Sequence, residues 1–198
     1  MTANNISPQQ DSPYIVPQKL NTSRLTLIAL MTAVLCVLGP WALVLPFSPI
    51  PFSLCTLGIY FSVILLGTKA GTVSVLLYLL LGLVGLPVFT GFVGGPAKVF
   101  GPTGGYLIGY IFIALICGFA VERFAGKRVV CFLGMCLGTV VCYLFGCIWM
   151  AYQLEFSFGE AFLVGALPYV PCDFIKIVVA FSIGVRLRSH LLRAGLLR

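Results

Sequence analysis

Charge is what this sequence has least of. Only 9% of its 198 residues are charged and 60% are hydrophobic, with a mean hydropathy of +1.11. Soluble domains carry roughly 25% charged residues, so the composition excludes an ordinary soluble domain and indicates an integral membrane chain. Histidine is nearly missing: His190, close to the C-terminus, is the single one, so an intramembrane serine–histidine pair is not available. No C-x-x-C occurs among the eight cysteines at 36, 55, 117, 131, 136, 142, 147 and 172. All lie in or beside apolar runs and read as small buried hydrophobes, not as zinc ligands or a redox pair. There is no G-x-x-x-x-G-K-[ST] loop, so the chain does not hydrolyse ATP in the P-loop manner. The net charge of +7 forms no basic patch interleaved with aromatics, which argues against a nucleic-acid partner. These absences leave little room for an enzyme.

What remains is apolar sequence. Runs fall at about 25–45, 52–68, 71–86, 102–121, 129–152 and 160–185. A span needs about 20 residues, and the second and third runs are short, with Lys69-Ala70-Gly71 read as a tight turn between them. Six spans are expected in an all-α membrane fold. Residues 1–23 are polar and lack the apolar core of a signal peptide, so they are expected to form a disordered cytoplasmic tail ahead of a retained first span. Residues 24–190 form the membrane domain and 191–198 a basic cytoplasmic tail. With the N-terminus inside, Lys19, Arg24, Lys69, Arg123, Lys127, Arg128, Arg186, Arg188, Arg193 and Arg198 all lie inside, ten of the twelve basic residues. By the positive-inside rule both termini are cytoplasmic.

That topology gathers three unusual stretches on the outer side. "PFSPIPFS" (46–53) holds Pro46, Pro49 and Pro51, which forbid a helix and keep the loop extended. "GLPVFTGFVGGPAKVFGPTGG" (85–105) is glycine-rich and carries Lys98, the only basic residue of the outer loops. "PYVPCDFIKIVVAF" (168–181) places Asp173 and Lys176 in nearly pure oil. An ionised side chain at the bilayer centre costs about 2.5–3.5 kcal/mol on the lenient insertion scales, so something must offset two of them. Pro168 and Pro171 suit a helix start. The sixth span is therefore expected to begin near Pro171 and end near Ser189, with 156–167 forming an outer, partly embedded helix. Asp173 then lies in the first turn, where the backbone dipole favours a carboxylate. Lys176 shares its face at i,i+3. The pair is either a self-satisfied pin for this helix or a ligand anchor. In "GPTGGYLIGY" (101–110), Pro102 fits a first helical turn, Thr103 offers a hydroxyl, and Gly104 and Gly105 permit close approach by a ligand or a neighbouring helix. Together the stretches argue for an outward-facing pocket. Its expected wall is Phe47, Phe52, Phe89, Phe92, Tyr106 and Tyr169, and its polar anchors Asp173, Lys176 and Lys98.

At these residues the sequence resembles the substrate-capture (S) components of energy-coupling-factor (ECF) vitamin transporters, and within them the biotin-specific BioY-type branch. The resemblance is carried by "IPFSLCTLGIY" (50–60), "GLPVF" (85–89), "GPTGGYLIGY" (101–110) and "LPYVPCDFIK" (167–176), and it covers most of the chain after residue 24. One departure is Cys55, where the branch is expected to read glutamine, so that amide's hydrogen bond is missing here. The resemblance implies a six-helix fold with an outer vitamin pocket, in a bacterial cytoplasmic membrane. It implies biotin as substrate, no cofactor, and as partners a membrane-spanning T component and a pair of ABC-type ATPases. Asp173 would accept the ureido N–H groups, with first-turn amides after Pro102 as supplementary donors. The thioether ring and valerate chain would pack on the aromatic wall, and either Lys98 or Lys176 would meet the carboxylate. In "ALMTA" (29–33), Ala29 and Ala33 share one helix face and resemble the family's docking motif for the T component. The rival expectations are an S component for another vitamin and a membrane scaffold with no small ligand.

Overall fold

The computed structural model describes residues 22–43, 52–124 and 127–193. The tail before residue 22, the loop with Pro46, Phe47, Pro49 and Pro51, the side chain of Phe52 and the end of the basic tail lie outside the described residues.

Helix α1 (Thr22–Leu38) stops at Gly39-Pro40, because proline disfavours helical geometry in the residue before it. Two short strands follow, β1 (Ala42–Leu43) and β2 (Phe52–Ser53), paired antiparallel with Leu43 opposite Phe52.

Helix α2 (Cys55–Val84) joins the second and third apolar runs. Thirty residues of straight helix would reach about 45 Å, but the element is broken at Gly67, whose φ of 81° and ψ of −174° lie in a region only glycine occupies comfortably. The arms 55–66 and 68–84 fold back on one another: a Cβ on Gly71 would lie 2.9 Å from the Cα of Val63. The reversal is at Gly67, two residues before the expected turn at Lys69-Ala70-Gly71, because the backbone angles there admit no other residue. The second arm ends at Gly85, left-handed at φ 113°, whose N–H donates to the Gly82 carbonyl.

After the one-turn α3 (Pro96–Val99) come α4 (Gly104–Arg123) and α5 (Arg128–Leu154). Lipid is as apolar as leucine, so helices in a membrane associate through close packing. Here glycines receive side chains from the facing helix. A Cβ on Gly109 would meet Cys142 Sγ at 2.6 Å, one on Gly138 would meet Cys117 Sγ at 2.8 Å, and one on Gly146 would meet the Tyr106 ring at 2.3 Å. This places Cys117 and Cys142 as packing residues. Helix α4 is central, with 67% of its apolar window buried, while α5 has 33% and turns most of its surface outward.

Helix α6 (Phe158–Gly165) opens on a Ser157–Glu160 capping box, and α7 (Val170–Arg193) follows at a 52° bend. A separate short helix before the last one and the late start of the last helix are as expected, while α7 runs on to Arg193, past the expected end near Ser189. By length and apolarity α2, α4 and α5 qualify as spans, and the α6–α7 pair makes a fourth if taken together; α1 is apolar but shorter.

Candidate functional site

The i,i+3 spacing on α7 brings Lys176 Nζ to 2.7 Å from Asp173 Oδ1, with the two residues only 7% and 6% exposed. A buried ion pair is tolerable only when its remaining donors and acceptors are met. Lys176 also donates to the Ser53 carbonyl at 2.5 Å and to Thr56 Oγ1 at 3.0 Å, so its ammonium hydrogens point at protein oxygens. Thr56 Oγ1 lies 3.5 Å from Asp173 Oδ1, and the Tyr143 hydroxyl on α5 donates to Oδ2. The charges are therefore offset by three other elements: the end of β2, the first turn of α2, and α5.

This network forms one wall of a cavity of about 470 Å³, counting the space at its open mouth. Its enclosed part is small, about 50 Å³, and the rest of that space lies in the mouth. Tyr106, Tyr110 and Ile113 of α4, Thr139, Cys142 and Tyr143 of α5, and Gly165 and Tyr169 line the rest. The Tyr106 hydroxyl donates to the Gly165 carbonyl at 3.1 Å, tying α4 to the end of α6. Tyr60 and Thr139 share a hydroxyl–hydroxyl bond of 2.6 Å next to the cavity. The chamber therefore combines aromatic faces, hydroxyls and one carboxylate whose Oδ2 keeps a lone pair beyond the Tyr143 bond.

Of the residues expected at a pocket, the structure brings Asp173, Lys176, Tyr106 and Tyr169 to this cavity. Others stand elsewhere. Phe89 is fully buried, edge-on to Tyr78 with centroids 5.6 Å apart, and it fills the hollow left by Gly82. Phe92 is 62% exposed and meets Trp41 edge-on. Lys98 is half-buried on α3, and burial pushes its ammonium below its ordinary range. Pro102 is exposed, and the expected first-turn donors after it are engaged: the Gly104 N–H donates to Gly101 O at 2.9 Å and the Tyr106 N–H to Thr103 O at 3.2 Å. Gly104 and Gly105 approach a helix, since a Cβ on Gly105 would lie 2.3 Å from Trp149 Cβ, and Trp149 Nε1 donates to Gly101 O at 2.9 Å. Cys55 is fully buried in the core. Ala29 and Ala33 are exposed, while Ile28, Thr32 and Leu35 face the rest of the bundle.

The sequence and the architecture match a known group. The BioY family model aligns with residues 12–193.

The chain belongs to the BioY family.

Similar proteins include the biotin transporter BioY of Thermotoga maritima, 37% identical over 155 residues, or 78% of this chain and 90% of that one. The biotin transporter BioY of Rhizobium etli is 37% identical over 174 residues, covering 83% and 92%. Among solved structures, the S-component for biotin from an ECF-type ABC transporter superposes with a TM-score of 0.80 at 32% identity, covering 87% of this chain and 94% of that one.

Against that BioY framework, the residues that sequence reading missed are Tyr143, Thr139, Tyr110, Thr56 and Ser53. Thr139 and Tyr143 carried a legible signal: hydroxyls at i,i+4 inside an apolar helix mark one polar stripe. Ser53 carried none, because it acts on Lys176 through its backbone carbonyl.

Proposed function

We propose that this chain is the biotin-binding membrane component of an ECF-type uptake transporter. It captures biotin on the outer side of a bacterial cytoplasmic membrane and releases it inward with an ATP-driven partner. The observation that carries this reading is the buried Asp173–Lys176 pair facing a tyrosine-lined cavity in a BioY-family chain. Biotin's ureido ring has two N–H donors, which suit the open lone pair of Asp173 Oδ2, and a carbonyl that suits a tyrosine hydroxyl. The valerate carboxylate is left to Lys176, which lines the cavity, or to Lys98 on the outer loop. Its relatives are named as transporters, and the reading is transport without chemistry.

In this reading six segments cross the bilayer: α1, the two arms of α2, α4, α5 and α7. The gathering of basic residues supports the orientation. Thr68 bonds Glu122, which brings Lys69 beside Arg123, and Arg128 and Arg186 line one crevice. The Ser74 hydroxyl bonds the Ile28 carbonyl, which sets the start of α1 and Arg24 toward the same end. This end is cytoplasmic, with both termini on that side, and the Asp173 cavity faces outward. Residues 24–190 are the membrane domain between two cytoplasmic tails, 1–23 and 191–198. The partners are a T component and an ABC-type ATPase pair, the former docking on Ala29 and Ala33.

Equilibrium binding of labelled biotin to the purified chain, beside Asp173→Asn with folding checked on both, tests the proposal. Saturable binding by the wild type, weakened at least tenfold in a folded variant, is expected. A folded wild type that ignores biotin but binds another vitamin would reassign the substrate, and one that binds none would leave a scaffold.

A further inference from the structure

At the end of the bundle away from Asp173, an open crevice of about 210 Å³ lies between α5 and α7, lined by Arg128, Phe181, Ser182, Val185 and Arg186. Arg128 is the first residue of α5, where unbonded backbone N–H groups add partial positive charge. Ser182 and Arg186 stand four residues apart on one face of α7. Neither arginine is neutralised: the one ion pair among the described residues is Lys176–Asp173, and the Glu122 carboxylate is held by Thr68. Two guanidiniums thus line one crevice with no ion-pair partner among the described residues, a geometry that suits a phosphate, since each can offer parallel N–H donors to its oxygens.

The crevice continues along an apolar track. Below Phe181 on the same face of α7 come Val178, 42% exposed, and Phe174, 51% exposed, and Phe132 of α5 packs edge-on to both Phe181 and Phe174 at 6.0 and 5.7 Å. A free anion has no use for such a track, whereas an acyl chain does.

We propose that this crevice binds an anionic phospholipid, its phosphate between Arg128 and Arg186 and an acyl chain along Phe181, Val178 and Phe174. Basic pockets between transmembrane helices are a recurrent setting for acidic headgroups. The site is independent of the substrate cavity and of what that cavity holds.

Native mass spectrometry of the full chain in detergent, titrated with phosphatidylglycerol, phosphatidylcholine or inorganic phosphate, tests this. Retention of phosphatidylglycerol over phosphatidylcholine is expected, with Arg128→Gln and Arg186→Gln each lowering it about fivefold, the share of one basic residue near an anionic headgroup. Lys69→Gln and Arg123→Gln, basic but outside the crevice, leave retention unchanged. Arg186→Lys keeps most of it, so the site stays readable if a glutamine variant aggregates. Equal loss in the control variants, no loss in the crevice variants, or displacement of the lipid by millimolar inorganic phosphate would each overturn the proposal, the last by making the crevice a small-ion site.

Discussion

Thr68 and Glu122 hold each other through two hydrogen bonds, the Thr68 N–H to Oε1 at 2.9 Å and its hydroxyl to Oε2 at 2.6 Å. The carboxylate caps the second arm of α2 immediately after the break, and so fastens the hairpin turn to the end of α4. A Cβ on Gly67 would fall 2.1 Å from Glu122 Oε1. Gly67→Ala is therefore expected to cost about 1–3 kcal/mol for the backbone angles, and to displace the carboxylate as well. Glu122→Gln should cost less, and the double variant less than the sum, because both changes break the same bonds. Thermal melts of the four proteins in detergent decide this; an unchanged melt for Gly67→Ala would rule the strain out.

The buried pair makes opposite predictions for stability and for binding. Asp173→Asn strands the Lys176 charge, and breaking a buried pair on one side typically costs about 3–5 kcal/mol. Adding Lys176→Met should restore most of that stability, since the uncompensated charge is gone, but no biotin binding. Recovery of both would mean the pair is only a pin for α7.

Tyr143 enters through Asp173. Its hydroxyl is a donor to the Oδ2 atom assigned to biotin, and hydrogen bonds to charged groups contribute about 1.5–3 kcal/mol. Tyr143→Phe should weaken biotin binding about tenfold or more in a protein that still melts cooperatively. Affinity equal to the wild type would show that Asp173 is positioned by Lys176 and Thr56 alone.

Gly105 separates packing from ligand contact. Its missing Cβ makes room for Trp149, so Gly105→Ala overpacks the α4–α5 seam, a change typically worth about 1–3 kcal/mol. Melting temperature should fall while the affinity of the folded fraction holds. Lost affinity with unchanged melting would return this glycine to the substrate site.

Ala33 is exposed on α1, opposite the buried face of Thr32 and Leu35. Ala33→Trp is expected to leave biotin binding intact and to prevent co-purification with the T component and ATPases. Lost biotin binding would place this face in contact with the protein's own fold.

Apolar run lengths were enough for a predominantly helical membrane chain, because lipid forces a span to be long, apolar and internally hydrogen-bonded. Proline alone predicted the start of α7, which begins at Val170 beside Pro171. The i,i+3 pairing of Asp173 and Lys176 was equally legible, being a property of one helix. What offsets those charges was not. Ser53, Thr56 and Tyr143 lie 123, 120 and 30 residues from their partners, and only packing brings them there. The same holds for the glycines of "GPTGG": a missing Cβ announces a close approach, but its identity, Trp149 and not a ligand, is decided by the facing helix. The phenylalanines behaved alike, Phe89 going to the core under Gly82 while tyrosines lined the cavity. Local sequence determines what each helix needs; the fold decides which neighbour supplies it, because those contacts join residues far apart in the chain.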